Sequence, residues 1–240
     1  MPAVRTGPAV GLFAQIALLA SLTVIVGVGS VGWLVGIGYG LVLCVTLSRA
    51  MTGAGTDTLG PADRVTLTRA VLVGGVTALS VAASPPVPAL VALAIVALAL
   101  DRVDGIVARR SGTVSDLGAR FDMEVDAFLI LVLSVDAARL LGPWVLAIGV
   151  MRYAYVAAGW VLPWMRGTLP PRYWGKVVAA AQGVVLVTVT ADVLPRPWAL
   201  AATLVALAML VESFGHSVLW LYQARLPDRP AVRTIVRTRR

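Results

Sequence analysis

The sequence predicts an all-α, polytopic integral membrane protein, and three observations predict it. Of its 240 residues, 59% are hydrophobic and only 13% are charged. Soluble domains carry about 25% charged residues, so this chain cannot cover itself with a polar surface. Apolar segments recur along the whole length, and several approach the ~20 residues that a bilayer crossing needs. The basic residues, finally, are concentrated in alternate connectors between those segments.

Eight candidate spans follow, at roughly 10–28, 31–48, 65–83, 87–108, 118–138, 142–162, 176–193 and 197–222. The first is longer than the ~7–15 residues of a signal-peptide core, so a retained span is expected. Only Gly29 and Ser30 separate it from the second, which predicts a tight hairpin or one long, bent element. The polar stretch 49–64, with Arg49, Thr52, Gly53, Gly55 and Asp57, divides this hairpin from the other six spans. Proline and glycine punctuate the rest: Pro85, Pro86 and Pro88, then Gly142 and Pro143, then Pro195 and Pro197. Each stops a helix by removing an N–H or freeing the backbone. Three units are expected: a transmembrane hairpin with its polar link (1–55), a six-span catalytic domain (56–224) and a basic tail (225–240).

Charge sets the expected orientation. One set of connectors carries Arg49 and Arg64, then Arg109, Arg110 and Arg120, then Arg166, Arg172 and Lys176, and finally the arginine-rich tail. The alternate set has no basic residue in 84–88 and only Arg139 and Arg196 elsewhere. The positive-inside rule places the first set and both termini in the cytoplasm, and an even number of spans agrees. A cysteine at position 113, in a Cys44→Ser background, should therefore react only from the cytoplasmic side. Labelling from outside would overturn the topology. The net charge of +8 is explained by this arrangement without invoking nucleic acid. One cysteine, Cys44, and one histidine, His216, leave no disulfide and no zinc constellation.

One segment breaks the pattern of a lipid-facing helix. Asp101 and Asp104 are i,i+3, and Asp122 and Asp126 are i,i+4, so each pair shares a helix face. The connector between them is short, which makes the helices antiparallel neighbours with both acidic pairs near one membrane face. Four carboxylates packed together need compensating charge. Two hard divalent cations, Mg²⁺ or Mn²⁺, would supply it through all-oxygen ligands. Ions about 3.5–4 Å apart are a recurrent device for displacement at phosphorus. Gly105, Ala108 and Gly118 leave room for a nucleotide against the backbone, and Arg109 offers a guanidinium fork to phosphate. The competing explanation is an ion-pair network with Arg102, Arg109 and Arg120. A small cation-coupled transporter would also carry intramembrane acids, but it does not require the spacing of Gly105, Ala108, Arg109 and Gly118.

These residues match D-x2-D-G-x2-A-R-x8-G-x3-D-x3-D at every specified position, Asp101 through Asp126. The chain thereby resembles the CDP-alcohol phosphatidyltransferase family, over residues 60–222. Upstream, Pro61-Ala62-Asp63-Arg64-Val65-Thr66-Leu67-Thr68-Arg69 resembles the start of that family's first core span, with one extra residue after the proline. The resemblance implies a six-helix core and transfer of a phosphatidyl group from CDP-diacylglycerol to a polar alcohol, with release of CMP. It implies that Asp101 and Asp122 bridge two Mg²⁺ or Mn²⁺ ions, that Asp104 holds one and Asp126 the other, and that Asp126 is also the general base. Gly105, Ala108, Arg109, Ser115, Gly118, Asp63 and Thr66 would then line the CDP-lipid site. Arg152, Arg172 and Lys176 are candidates for an anionic acceptor. The same signature serves enzymes that transfer a CDP-linked amino alcohol to diacylglycerol. Two departures bear on the acceptor: Ala127 stands where many relatives have Lys or Arg, and Val178-Ala179 follow Gly175-Lys176 where Lys-Thr is usual.

Three further features carry simpler expectations. Glu212 and His216, i,i+4 on the last span, are expected to satisfy each other, or Glu212 to pair with Arg152. Gly32, Gly36 and Gly40 form a small-residue face suited to packing within one chain or between two copies of a homodimer. Residues 10–48 carry no charge, so they are not expected to do chemistry, and deletion of 1–55 is expected to leave some activity.

Overall fold

The computed structural model describes residues 6–111, 116–167, 169–170 and 173–225, and for residues 6, 102–111 and 116 the backbone alone. Eight α-helices lie in the described residues: α1 (Thr6–Val26), α2 (Ser30–Ala54), α3 (Pro61–Ser80), α4 (Val87–Ser111), α5 (Asp116–Leu141), α6 (Leu146–Val161), α7 (Tyr173–Thr190) and α8 (Arg196–Ala224). They fall where the apolar segments do, and the chain is a polytopic, all-helical membrane protein.

Five of them, α1, α2, α6 (with the short 3-10 turn Pro143–Val145 before it), α7 and α8, are long and apolar enough on their own to cross a bilayer. Helix α4 contributes a shorter apolar run, Val87–Asp101. Helices α3 and α5 carry the charges of the site instead. Their neighbours shield them: most of α3 is buried, including Arg69, Thr66, Gly74, Gly75 and Ser80. Large apolar side chains such as Phe13, Val24, Trp160, Val161 and Trp198 are exposed on the outer helices, as a lipid-facing surface requires.

Two turns set the entrance to this core. Gly27, at φ 76°, ends α1 and lets the chain reverse into α2 within three residues. Helix α2 runs on to Ala54, past the expected end at 48. Thr52 bonds its hydroxyl to Ser48 O at 2.8 Å, so a polar side chain does not open the helix. The stop comes only at Gly55, at φ 65°, whose N–H reaches Thr52 O. The polar link is therefore shorter than its composition suggests, and Arg49 belongs to the helix.

Helix α3 starts with Pro61 in its first turn and the Asp63 carboxylate accepting from Gly60 N–H at 3.1 Å. It packs on α1, α2, α4 and α5. Helices α3 and α5 run parallel and are tied at two levels. Arg69 meets Asp122 and Asp126 at one. At the other, ten or eleven residues further along both helices, the Ser80 hydroxyl donates to Asp136 Oδ1 at 2.8 Å and Arg139 meets the same oxygen at 3.3 Å. Helix α4 returns along α3, which brings Asp101 to the level of Arg69 and of the first turns of α5. On the far side, Gln182 of α7, buried, donates to Ala206 O of α8 at 2.8 Å.

The glycine face of α2 is used within the chain. Gly32, Gly36 and Gly40 are buried, and a Cβ at Gly32 would stand 2.8 Å from the Ala78 carbonyl of α3.

Candidate active site

Three of the four signature aspartates converge. One carboxylate oxygen each from Asp101, Asp122 and Asp126 lies within 4.8 Å of the others, close enough to share a cation. Asp101 is delivered by the C-terminal half of α4. Asp122 and Asp126 come from the first turns of α5, one helical turn apart, on the face turned to α3 and α4. Asp104, Gly105, Ala108 and Arg109 lie on α4, but their side chains are outside the described residues, as are Ser115 and Arg172 altogether.

Beneath the carboxylates stands Arg69, whose side chain is 0% exposed while the three aspartate side chains are 42%, 37% and 39% exposed. Its Nη1 lies 3.0 Å from Asp101 Oδ1 and 2.8 Å from Asp122 Oδ1, and its Nη2 lies 2.5 Å from Asp126 Oδ1. Nη2 also reaches the Asp122 carbonyl at 3.4 Å. One guanidinium fork thus gathers carboxylates from two helices while their side chains stay partly exposed. Three carboxylates and one guanidinium carry two net negative charges, which a divalent cation neutralises. The set is all oxygen and partly exposed, and it fits Mg²⁺ or Mn²⁺.

Of the arginines in the competing ion-pair reading, Arg120 is exposed and the side chains of Arg102 and Arg109 lie outside the described residues; the partner among the described residues is Arg69. The signal that could have found it is its position inside the apolar span 65–83, where an unpaired charge is costly. Replacement by Met removes the common partner of three carboxylates. Loss of one member of a buried ion pair costs about 3–5 kcal/mol, and the partial exposure of the aspartates reduces that here. Arg69→Met should lower the unfolding temperature in detergent with EDTA by several degrees, and Mg²⁺ should restore part of the loss. Equal unfolding curves for variant and parent in EDTA would show that Arg69 does not hold the cluster together.

The other candidates divide. Gly118 is on α5, one turn before Asp122. Asp63 caps α3, and the Thr66 hydroxyl bonds to Ala62 O at 3.2 Å, so both help to build α3 one and two turns before Arg69. Arg152 of α6 pairs with Glu124 and lies 3.5 Å from Met123 Sδ. This corrects the expected pairing with Glu212: Glu124 stands on α5 between Asp122 and Asp126, so the nearer acid takes the arginine and holds it at the level of the cluster. Glu212 instead accepts from Trp174 Nε1 at 2.6 Å. His216 lines a cavity of about 210 Å³ with Ser213, Ser217 and Trp220, to which none of the aspartates contributes. Lys176 is exposed at the start of α7.

The sequence model of the CDP-alcohol phosphatidyltransferase family matches residues 59–214, which contain the whole cluster, Arg69 and Arg152. No curated protein and no solved structure matches the chain.

Proposed function

The chain belongs to the CDP-alcohol phosphatidyltransferase family, and from that premise we propose that it transfers the phosphatidyl group of CDP-diacylglycerol to the hydroxyl of a polar alcohol, at the cytoplasmic face of the cell membrane. Membership makes it a membrane transferase of phospholipid synthesis that uses a CDP-alcohol. The finer reading is supported above all by the convergence of Asp101, Asp122 and Asp126 on one point, inside a signature complete at every position.

In this reading the acceptor oxygen attacks the lipid-linked phosphorus. The bond from that phosphorus to the CMP oxygen breaks, and CMP leaves. Asp126 takes the hydroxyl proton. Asp101, Asp104, Asp122 and Asp126 would hold two Mg²⁺ or Mn²⁺ ions, which supply positive charge to the diphosphate as it divides. Arg69 keeps the carboxylates of Asp101, Asp122 and Asp126 gathered, and its burial prevents it from competing for substrate phosphate. Gly105, Ala108 and Gly118 would admit the nucleotide, with Arg109 and Ser115 on its phosphates. Arg152, fixed at the level of the cluster by Glu124, supports an anionic acceptor, for which Arg172 and Lys176 are further candidate cations.

Purified protein given CDP-diacylglycerol, Mg²⁺ or Mn²⁺ and a panel of alcohols, including glycerol 3-phosphate, inositol phosphate and phosphatidylglycerol, should release CMP with one acceptor. A parallel arm with a CDP-linked amino alcohol and diacylglycerol tests the reverse arrangement. CMP from that arm alone would overturn the choice of donor, and none from either would overturn the reaction.

A further inference from the structure

The two helices that precede the family-matched region touch the supports of the acid cluster. Tyr39 of α2 donates its hydroxyl to the Ala70 carbonyl at 3.0 Å, one residue beyond Arg69. The same ring stacks on Phe128 of α5, with centroids 5.1 Å apart and planes 29° from parallel, two residues beyond Asp126. One side chain therefore spans the two helices that Arg69 bridges. Lower on α2, Leu47 and Met51 are buried with Leu59 and Leu67, and this group packs on Leu117 and Phe121, the neighbours of Gly118 and Asp122.

The hairpin is also seated too closely to be a loose attachment. Gln15 of α1 is 0% exposed. A Cβ on Gly74 of α3 would lie 2.4 Å from its Oε1, and one on Gly36 would lie 2.8 Å from Leu19 Cδ2. Such contacts interlock α1, α2 and α3 and leave no room for lipid between them.

We infer that Tyr39 is a positioning residue for the acid cluster, and that the catalytic unit is the eight-helix body and not the six matched helices alone. The inference rests on the phosphatidyl-transfer reading above. Its physical content is the alignment of α3 with α5. Arg69 must present two nitrogens to carboxylates from α4 and α5 at once, and ligands of a metal site need positions held within about 0.5 Å. Tyr39 sets α3 at the level of Arg69 through a backbone carbonyl, and α5 just past Asp126 through Phe128. Supporting residues around metal ligands typically change affinity or activity by about 10–100-fold when removed. Residues 10–48 then do no chemistry themselves but form a wall that shapes the site.

The test uses the full chain in detergent, with Mn²⁺ binding measured without substrate and CMP release measured separately. Tyr39→Leu removes both the hydroxyl bond and the ring stack. It should weaken Mn²⁺ binding about 10-fold and lower kcat about 10–100-fold, with KM for CDP-diacylglycerol within about 3-fold. Tyr39→Phe keeps the stack and should recover most of the loss. Phe13→Leu, on the exposed side of α1, should change neither quantity. Parental Mn²⁺ affinity and kcat in Tyr39→Leu would overturn the inference, as would an equal loss in Phe13→Leu. If Tyr39→Leu does not yield monodisperse protein, Tyr39→Phe decides: a measurable loss of Mn²⁺ affinity supports the inference and none overturns it. Parent protein that binds Mn²⁺ but releases no CMP from any donor would sink the function alone, because the Mn²⁺ affinities still judge Tyr39.

Discussion

Asp101→Asn and Asp122→Asn should each abolish CMP release, by at least about 10²–10³-fold, while the protein still folds and inserts. The amide keeps the shape of the carboxylate and removes its charge. In a cluster of three carboxylates and one guanidinium, that halves the net charge of two that attracts a divalent ion. It also places a neutral group against Arg69 Nη1, which meets Asp101 Oδ1 at 3.0 Å and Asp122 Oδ1 at 2.8 Å. The fold is protected because Arg69 retains two of its three carboxylates and because Ser80 and Asp136 still tie α3 to α5 at the other level. Elution volume and unfolding temperature should stay near the parent values, with the unfolding temperature losing its response to Mg²⁺. Parental CMP release from either purified variant would exclude both aspartates from the reaction.

The fold and the acids were legible because they are written in periodicity. Apolar run length marks a membrane helix, and the i,i+3 and i,i+4 spacing of Asp101, Asp104, Asp122 and Asp126 puts each pair on one face whatever surrounds it. The short connector brings Asp101 to Asp122 and Asp126 as expected, but α4 and α5 each pack chiefly on α3, which no connector length reveals. What the sequence does not carry is the choice among partners that tertiary packing brings together. Arg69 is 32 residues from Asp101 and 57 from Asp126, separations that no local spacing rule spans. Arg152 illustrates the same limit. Its pairing with Glu124 depends on how α6 leans on α5, which no spacing rule fixes. Asp136 was not singled out in the sequence, and its partner Ser80 lies 56 residues away. The end of α2 was missed for another reason: polar composition was read as a link, whereas Thr52 can satisfy its hydroxyl on its own helix, and only the left-handed backbone at Gly55 ends it. The glycine face of α2 was legible as a packing surface. Its occupants, α1 and α3, became visible only with the third dimension.

The division of labour within the cluster gives the last expected result. Asp126→Asn should cut kcat by about 10²–10⁴-fold, the usual range for loss of a general base, while CDP-diacylglycerol still binds. Asp126 lies one turn further along α5 than Asp122, so it can meet an acceptor that arrives beside the diphosphate. Arg69 Nη2 holds its Oδ1 at 2.5 Å, which fixes the carboxylate within the cluster. The asparagine can still turn its carbonyl oxygen toward Arg69, so the orientation survives. The rest of the side chain is then an amide NH₂, which cannot take up a proton from the acceptor hydroxyl. Asp101, Asp104, Asp122, Gly105 and Arg109 are untouched, and donor affinity in Mg²⁺ should stay within about 10-fold of the parent, less than the 10²–10⁴-fold lost from turnover. Equilibrium titration of CDP-diacylglycerol against the variant, set beside single-turnover CMP release, separates the two roles. If donor affinity collapses together with turnover, Asp126 serves the cluster as a ligand alone, and the proton must leave the acceptor by another group.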